Sequence, residues 1–90
     1  MDLRVQGQVF AAQGRHDDAR VALDRAIALF EQTGSRLELN RALLCRAVLL
    51  REHGNDAEKA AARTDALAAR DEFAAMGAVH DRQRAERFPG

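Results

Sequence analysis

The chain repeats itself, and the two offsets at which it does so limit its fold more tightly than any other feature. Displaced by 40 residues, Leu3 falls on Leu43, Gly7 on Ala47, Phe10 on Leu50 and Gly14 on Gly54. Displaced by 43, Ala19 falls on Ala62, Leu23 on Ala66, Ala26 on Ala69, Phe30 on Phe73 and Gly34 on Gly77. A first and a third segment therefore match, and so do a second and a fourth. The offsets differ by three residues, nearly one helical turn, so the fourth segment is expected to begin about a turn earlier than the second. The repeating unit is a helical hairpin. Repeat one spans 2–34 and repeat two 35–77, while residues 78–88 read as a truncated third repeat or a capping helix, with Ala85 answering Ala42.

Glycine supplies the punctuation. Gly14, Gly34, Gly54 and Gly77 each follow a helix-forming stretch and precede capping or charged residues, whereas the only proline is Pro89. Helices broken by tight turns follow, near 2–13, 16–33, 36–53, 56–76 and 79–87. Ser35 with Glu38, and Asn55 with Glu58, have the spacing of a capping box, in which each side chain satisfies a free backbone N–H at the helix start. Asp17 and Asp18 place two carboxylates in the first turn of the second helix, where the helix dipole favours negative charge. No stretch alternates with period two. The expected fold is all-α, two antiparallel helical hairpins plus a short C-terminal helix, within one domain over 1–90.

Hydrophobic residues make up 47% of the chain, yet 19 of them are alanine and only four are aromatic, all phenylalanine. A core this lean supplies roughly 3 to 5 kcal/mol at such a length. The alanines fall where helices must touch. Gly7 and Ala47 sit midway along the first helix of each hairpin, and Ala19, Ala26, Ala62 and Ala69 line one face of the second. Leu3, Phe10, Leu23, Ile27 and Phe30 are expected to close the first hairpin, and Leu43, Leu50, Leu67, Phe73 and Met76 the second. Leu37, Leu39, Leu43, Leu44, Ala47, Val48, Leu49 and Leu50 cannot share one stripe, so the third helix is expected to lie between neighbours.

Charge excludes more than it suggests. Fourteen cationic and 14 anionic side chains cancel, divided six and six in residues 1–45 and eight and eight in 46–90. Nucleic-acid binding needs a concentrated cationic face, often with stacking aromatics, so no nucleic-acid partner is expected. Met1 to Arg15 contains no apolar run, so no secretory or membrane segment is read there. Cys45 is the only cysteine; no disulfide forms within the chain, and a lone thiol points to a reducing, cytoplasmic setting.

The residues that could carry chemistry are few. His16 and His53 fall at helix ends beside Gly14 and Gly54, where an imidazole usually caps or faces water, and they make no H-x3-H or Cys/His cluster with one another. Cys45 sits in the most apolar stretch as a small hydrophobe; Arg41 and Arg46 nearby are what would activate it as a thiolate. Asp17 with Asp18 and Asp71 with Glu72 are adjacent, so they diverge around a helix instead of converging as a catalytic pair. Neither enzyme activity nor a metal or cofactor site is expected.

The two hairpins resemble the tetratricopeptide repeat family, whose first helix reads W-x2-L-G-x2-Y and whose second carries A-x3-F and a further alanine. Here the first helices read Leu3-x2-Gln6-Gly7-x2-Phe10 and Leu43-x2-Arg46-Ala47-x2-Leu50, and the second Ala19-x3-Leu23-x2-Ala26 and Ala62-x3-Ala66-x2-Ala69. The match covers residues 3–77; Gln6 and Arg46 replace an expected leucine, the repeat-ending proline is absent, and the period exceeds the family's 34 residues. The length is similar to the longer, divergent repeats of large bacterial signalling regulators, LuxR-class transcription activators among them, whose helix ends resemble Phe73 to Ala78.

The resemblance implies a scaffold without chemistry of its own, holding a peptide or partner helix on a concave face lined by the first helix of each hairpin. Carried over by position, that face includes Arg4, Gln8, Arg41, Leu44, Cys45, Val48, Arg51 and Arg84. Versions that clamp a C-terminal carboxylate use basic and amide residues at some of these places; Arg4, Gln8 and Arg84 fit, and Cys45 and Phe88 do not. The arginines beside Leu44 and Val48 suit an acidic or amphipathic segment, or else simply solvate an exposed helix face.

Two repeats fall short of the three or so that a helical stack needs, because its end helices expose faces meant for neighbours. Either the chain belongs to a longer protein or it self-associates as a structural homodimer. The first helix would pair through Leu3, Val5, Val9 and Phe10, the last through Phe73, Met76, Val79 and Phe88. Missing burial is expected at both ends.

Overall fold

The computed structural model describes residues 2–88; Met1, Pro89 and Gly90 lie outside them. Five helices follow in order: α1 Leu3–Ala12, α2 His16–Thr33, α3 Arg36–His53, α4 Asp56–Met76 and α5 Val79–Glu86. No strand occurs among the described residues. α1 packs against α2 and α3 against α4 as antiparallel hairpins, α2 joins them by packing on α3, and α5 folds back onto α4. The chain is an all-α fold of two helical hairpins and a short C-terminal helix.

The turns have a common construction. Gly14, Gly34 and Gly77 have φ of 77°, 70° and 71°, the left-handed region where a side chain would be strained. At each, the residue after the glycine donates its N–H to the carbonyl of a phenylalanine: Arg15 to Phe10, Ser35 to Phe30 and Ala78 to Phe73, at 2.8, 3.0 and 2.9 Å. This is the Schellman arrangement, which satisfies carbonyls the helix end leaves free. Gly54 differs, having an extended backbone; a Cβ there would meet the Leu50 carbonyl oxygen at 2.5 Å.

α4 is three residues longer than α2, 21 against 18, and the extra turn lies at its start, as the two repeat offsets require. It opens on a full capping box: Asn55 accepts from the Glu58 N–H at 2.8 Å and Glu58 from the Asn55 N–H at 3.1 Å. The box expected at Ser35 and Glu38 is absent. The Ser35 hydroxyl bonds Thr33 Oγ1 at 2.8 Å, and Glu38 turns to Arg41 at 2.9 Å, so both side chains are taken by partners other than the helix end. An unforeseen cap opens α1, where Asp2 accepts from the Arg4 N–H at 2.8 Å.

The core runs along α3, which supplies all three apolar clusters. Leu44, Ala47 and Leu50 join Ala62, Ala66, Ala69 and Phe73 of α4 with Ala85 and Phe88. Leu49 faces Ala19 and Leu23 of α2, and Ala42 faces Ala26 and Ile27. α3 is therefore covered on both sides. Alanines make these contacts because they let helix axes approach; Ala19, Ala26, Ala42, Ala62 and Ala69 are fully buried.

Two of the residues expected in the second hairpin sit elsewhere. Leu67 is 43% exposed on the outer side of α4, and Leu43 packs on the first hairpin's cluster. Arg46, at a position where a leucine would suit the pattern, instead ties three helices together: it pairs with Asp24 of α2 at 3.0 Å and Asp65 of α4 at 3.6 Å. Arg20 extends the row to Asp24 and Glu58 at 3.3 and 3.0 Å.

The two ends differ in how much they bury. Val5 and Val9 of α1 are 36% and 39% exposed. At the other end Phe73 is fully buried and Phe88 nearly so, because α5 covers them; only Val79 of the four residues proposed there stands open, and Met76 is half-buried. Phe73 and Phe88 are therefore taken up within the chain, which leaves Val79 and the half-buried Met76 as the accessible members of that expected seam.

Candidate functional site

Helices α1, α3 and α5 frame an open cavity of about 260 Å³. Its floor is apolar, Gly7 and Ala11 from α1, Leu23 from α2, and Leu44, Val48 and Leu49 from α3; its polar lining is Gln8, Cys45, Glu52, His53 and Arg84. The volume lies below the range of a drug-sized ligand or cofactor pocket, which starts at about 300 Å³, and suits one large side chain.

Gly7 lies in the cavity wall with Leu23 packed tightly against it. A Cβ at this position would stand 2.7 Å from Leu23 Cγ and 2.8 Å from its Cδ2, so glycine lets α1 close onto α2 while Leu23 reaches beneath it. The equivalent residue of the second hairpin, Ala47, is buried against α4 instead. The groove lies between α1 and α3, beside the first hairpin.

Of the residues placed on the concave face, Gln8, Leu44, Val48, Arg84 and Cys45 line the cavity. Arg4, Arg41 and Arg51 do not. Arg41 donates to both oxygens of Asp81, at 2.9 and 3.1 Å, and to Glu38 at 2.9 Å. Arg4 stands 4.0 Å from Glu38, with its Nε buried and without a hydrogen-bond partner among the described residues. Arg51 lies over the Phe88 ring, 4.9 Å from its centre, and pairs with Glu52 at 3.4 Å. The expected basic face thus shrinks to Arg84, because carboxylates on α3 and α5 neutralise the rest.

Glu52 and His53 are cavity residues that the positional reading missed. A longer look at α3 finds them: Leu44, Val48 and Glu52 follow one another at intervals of four, as do Cys45, Leu49 and His53. Continuing either stripe by one turn reaches the cavity mouth.

Burial pushes the Cys45 thiol up, while the fields of Arg4 and Arg84 and a contact from Gln8 Nε2 at 3.4 Å pull the other way. Burial dominates, so the thiol stays protonated and behaves as part of the apolar wall. Arg41 and Arg46, the cations expected to act on it, are not among its neighbours in this field.

The two histidines of the helix ends meet. His16 and His53 stack with ring centres 3.5 Å apart and planes 21° from parallel, closing the far end of the α2–α3 interface. Rings so nearly parallel send their nitrogen lone pairs side by side, not toward one ion. Among the described residues no group of three or more His, Cys, Asp or Glu side chains could hold a metal, and no helix is long and apolar enough to cross a membrane.

In comparisons with protein-family models, curated proteins and solved structures, none matches this chain.

Proposed function

We propose that this chain is a non-catalytic, cytoplasmic protein-interaction module of the tetratricopeptide type, serving a regulatory or signalling protein, and that it holds a peptide or partner helix in the groove between α1, α3 and α5. The observation that carries this reading is the cavity itself: an open recess floored by the largely buried Leu23, Leu44 and Leu49 and flanked by the exposed Val48. An apolar recess of side-chain size with a polar rim is what an anchoring residue of a partner fills.

Random peptides displayed with their C-termini fused to the carrier provide the test. Sequences recovered by the protein, made as soluble peptides, are added to isotopically labelled protein and the backbone amide spectrum is followed. Shifts concentrated at Gln8, Leu44, Cys45, Val48 and Arg84 support the groove; shifts confined to the outer sides of α2 and α4 overturn it.

A homodimer through α1 is the second reading, favoured by Val5 and Val9 at 36% and 39% exposure one turn apart. Light scattering with refractive-index detection, needed because the chain has no tryptophan or tyrosine, separates the two. A dimer that dissociates on Val9→Lys supports self-association, and a monomer at every concentration rejects it.

A further inference from the structure

Charges alternate in sign from helix to helix: Arg4 on α1, Glu38 and Arg41 on α3, Asp81 and Arg84 on α5. Arg4 reaches Glu38 at 4.0 Å, Arg41 touches Glu38 at 2.9 Å, and Arg41 holds Asp81 at 2.9 and 3.1 Å. The row has its origin in the repeat. Glu38 and Arg41 are three residues apart, and the 43-residue displacement carries them onto Asp81 and Arg84. Arg41, set one turn after the acid of its own helix, pairs with the acid of the following one.

Arg84 comes last in the row. Among the described residues no carboxylate lies within 4.0 Å of its guanidinium, although its field reaches Asp81 and Cys45. Asp81 is occupied on both oxygens by Arg41, and Glu52, the acid at the cavity, pairs with Arg51 at 3.4 Å. The surplus positive charge of the row therefore falls on an exposed arginine at the cavity's rim.

We infer that the groove selects a partner segment in which a bulky apolar side chain stands beside an aspartate or glutamate, the apolar group filling the cavity and the carboxylate meeting Arg84. The inference rests on the peptide-binding reading above and adds the partner's chemistry to it. A guanidinium and a carboxylate form charge-assisted hydrogen bonds with defined geometry, and a lysine in the same place would meet like charge, so Arg84 discriminates as well as attracts.

Peptide selection is run in parallel on the wild type, Arg84→Glu and Val48→Asp, both substitutions being at exposed positions and each checked for an unchanged helical spectrum. Because the displayed peptides lack a free C-terminus, only side-chain carboxylates are read. The wild type is expected to enrich Asp or Glu within a turn of a Leu, Ile, Met or Phe by about threefold, the scale of an exposed ion pair. Arg84→Glu is expected to exchange that preference for Lys or Arg while keeping the apolar residue, and Val48→Asp to recover nothing. If Arg84→Glu leaves the acidic enrichment intact, the inference falls and the groove stands. If Val48→Asp enriches the same sequences as the wild type, or the wild type enriches none beyond a blank support, the groove reading falls with it.

Discussion

Arg41 grips both oxygens of the Asp81 carboxylate, Nε to Oδ1 at 2.9 Å and Nη2 to Oδ2 at 3.1 Å, and so pins α3 to α5. Asp81 is 8% exposed, which makes it an acid that water alone cannot satisfy. Arg41 is for this reason a structural residue and not part of the groove. Arg41→Ala should cost about 2 kcal/mol, the range of hydrogen bonds to a charged group whose partner is left buried. Arg84→Glu, at an exposed position, should stay within about 0.5 kcal/mol of the wild type. Urea unfolding followed by circular dichroism measures both, and equal midpoints for Arg41→Ala and the wild type would remove the pair from the account.

The same pair sets a pH dependence. Hydrogen bonds from Arg41, against opposition from burial, hold the Asp81 carboxyl below its ordinary range. A folded-state value below the unfolded one, about 3.9 for aspartate, means the stabilisation is complete above that pH and is lost as pH falls through the folded-state value. Glu58 is shifted in the same direction by the Asn55 N–H and by Arg20, so it adds the same sign. Wild-type urea midpoints should fall between pH 5 and pH 3. Asp81→Asn should start lower at pH 5 and change less, so the two curves converge in acid; parallel curves would count against the pair.

Gly7 tests how closely the first hairpin is packed. In an exposed helix, Gly to Ala stabilises by about 1 kcal/mol. Here the added carbon would stand 2.7 Å from Leu23 Cγ and 3.4 Å from the Ala19 carbonyl oxygen, so Leu23 must leave its packed position, and overpacking of about 1 to 3 kcal/mol should outweigh the helix preference. Gly7→Ala should therefore lower the unfolding midpoint. Gly7→Ala combined with Leu23→Ala should cost less than the sum of the two single changes, since removing the leucine side chain makes space for the methyl group.

The helices were legible from the sequence because their ends depend on backbone chemistry that is local. A glycine at positive φ four residues after a phenylalanine closes α1, α2 and α4, and neighbouring residues alone set that pattern. The alanine contacts were legible through the repeat, which shows the same small residues at Ala19 and Ala62, and at Ala26 and Ala69. What stayed hidden depends on which side chain wins a shared partner. Ser35 had the spacing to cap α3, but its hydroxyl bonds Thr33; Arg41 had the position of a groove residue, but Asp81 arrives from 40 residues away. His16 and His53 are 37 residues apart in the chain and stack only because α2 and α3 run antiparallel with matched lengths. Spacing within a helix locates a side chain on a face, whereas competition between faces is decided only once the hairpins pack.

Phe88 is where that distinction bears most on stability. It follows a helix of only eight residues, Val79–Glu86, whose sequence is almost wholly polar, so helix preference alone cannot keep α5 in place. Beside the Arg41–Asp81 pair and the buried Ala85, two contacts of Phe88 hold it: the ring enters the cluster formed by Leu44, Leu50 and Phe73, and Arg51 covers its face at 4.9 Å. Phe88→Ala should remove both and cost about 3 kcal/mol, the low end for a buried phenylalanine. Loss of α5 would also expose Phe73 and carry Arg84 away from the cavity. Hydrogen exchange separates this from a purely local defect: amides of α5 should lose protection in Phe88→Ala before those of α1 and α2, and uniform loss along the chain would show that α5 unfolds only with the whole.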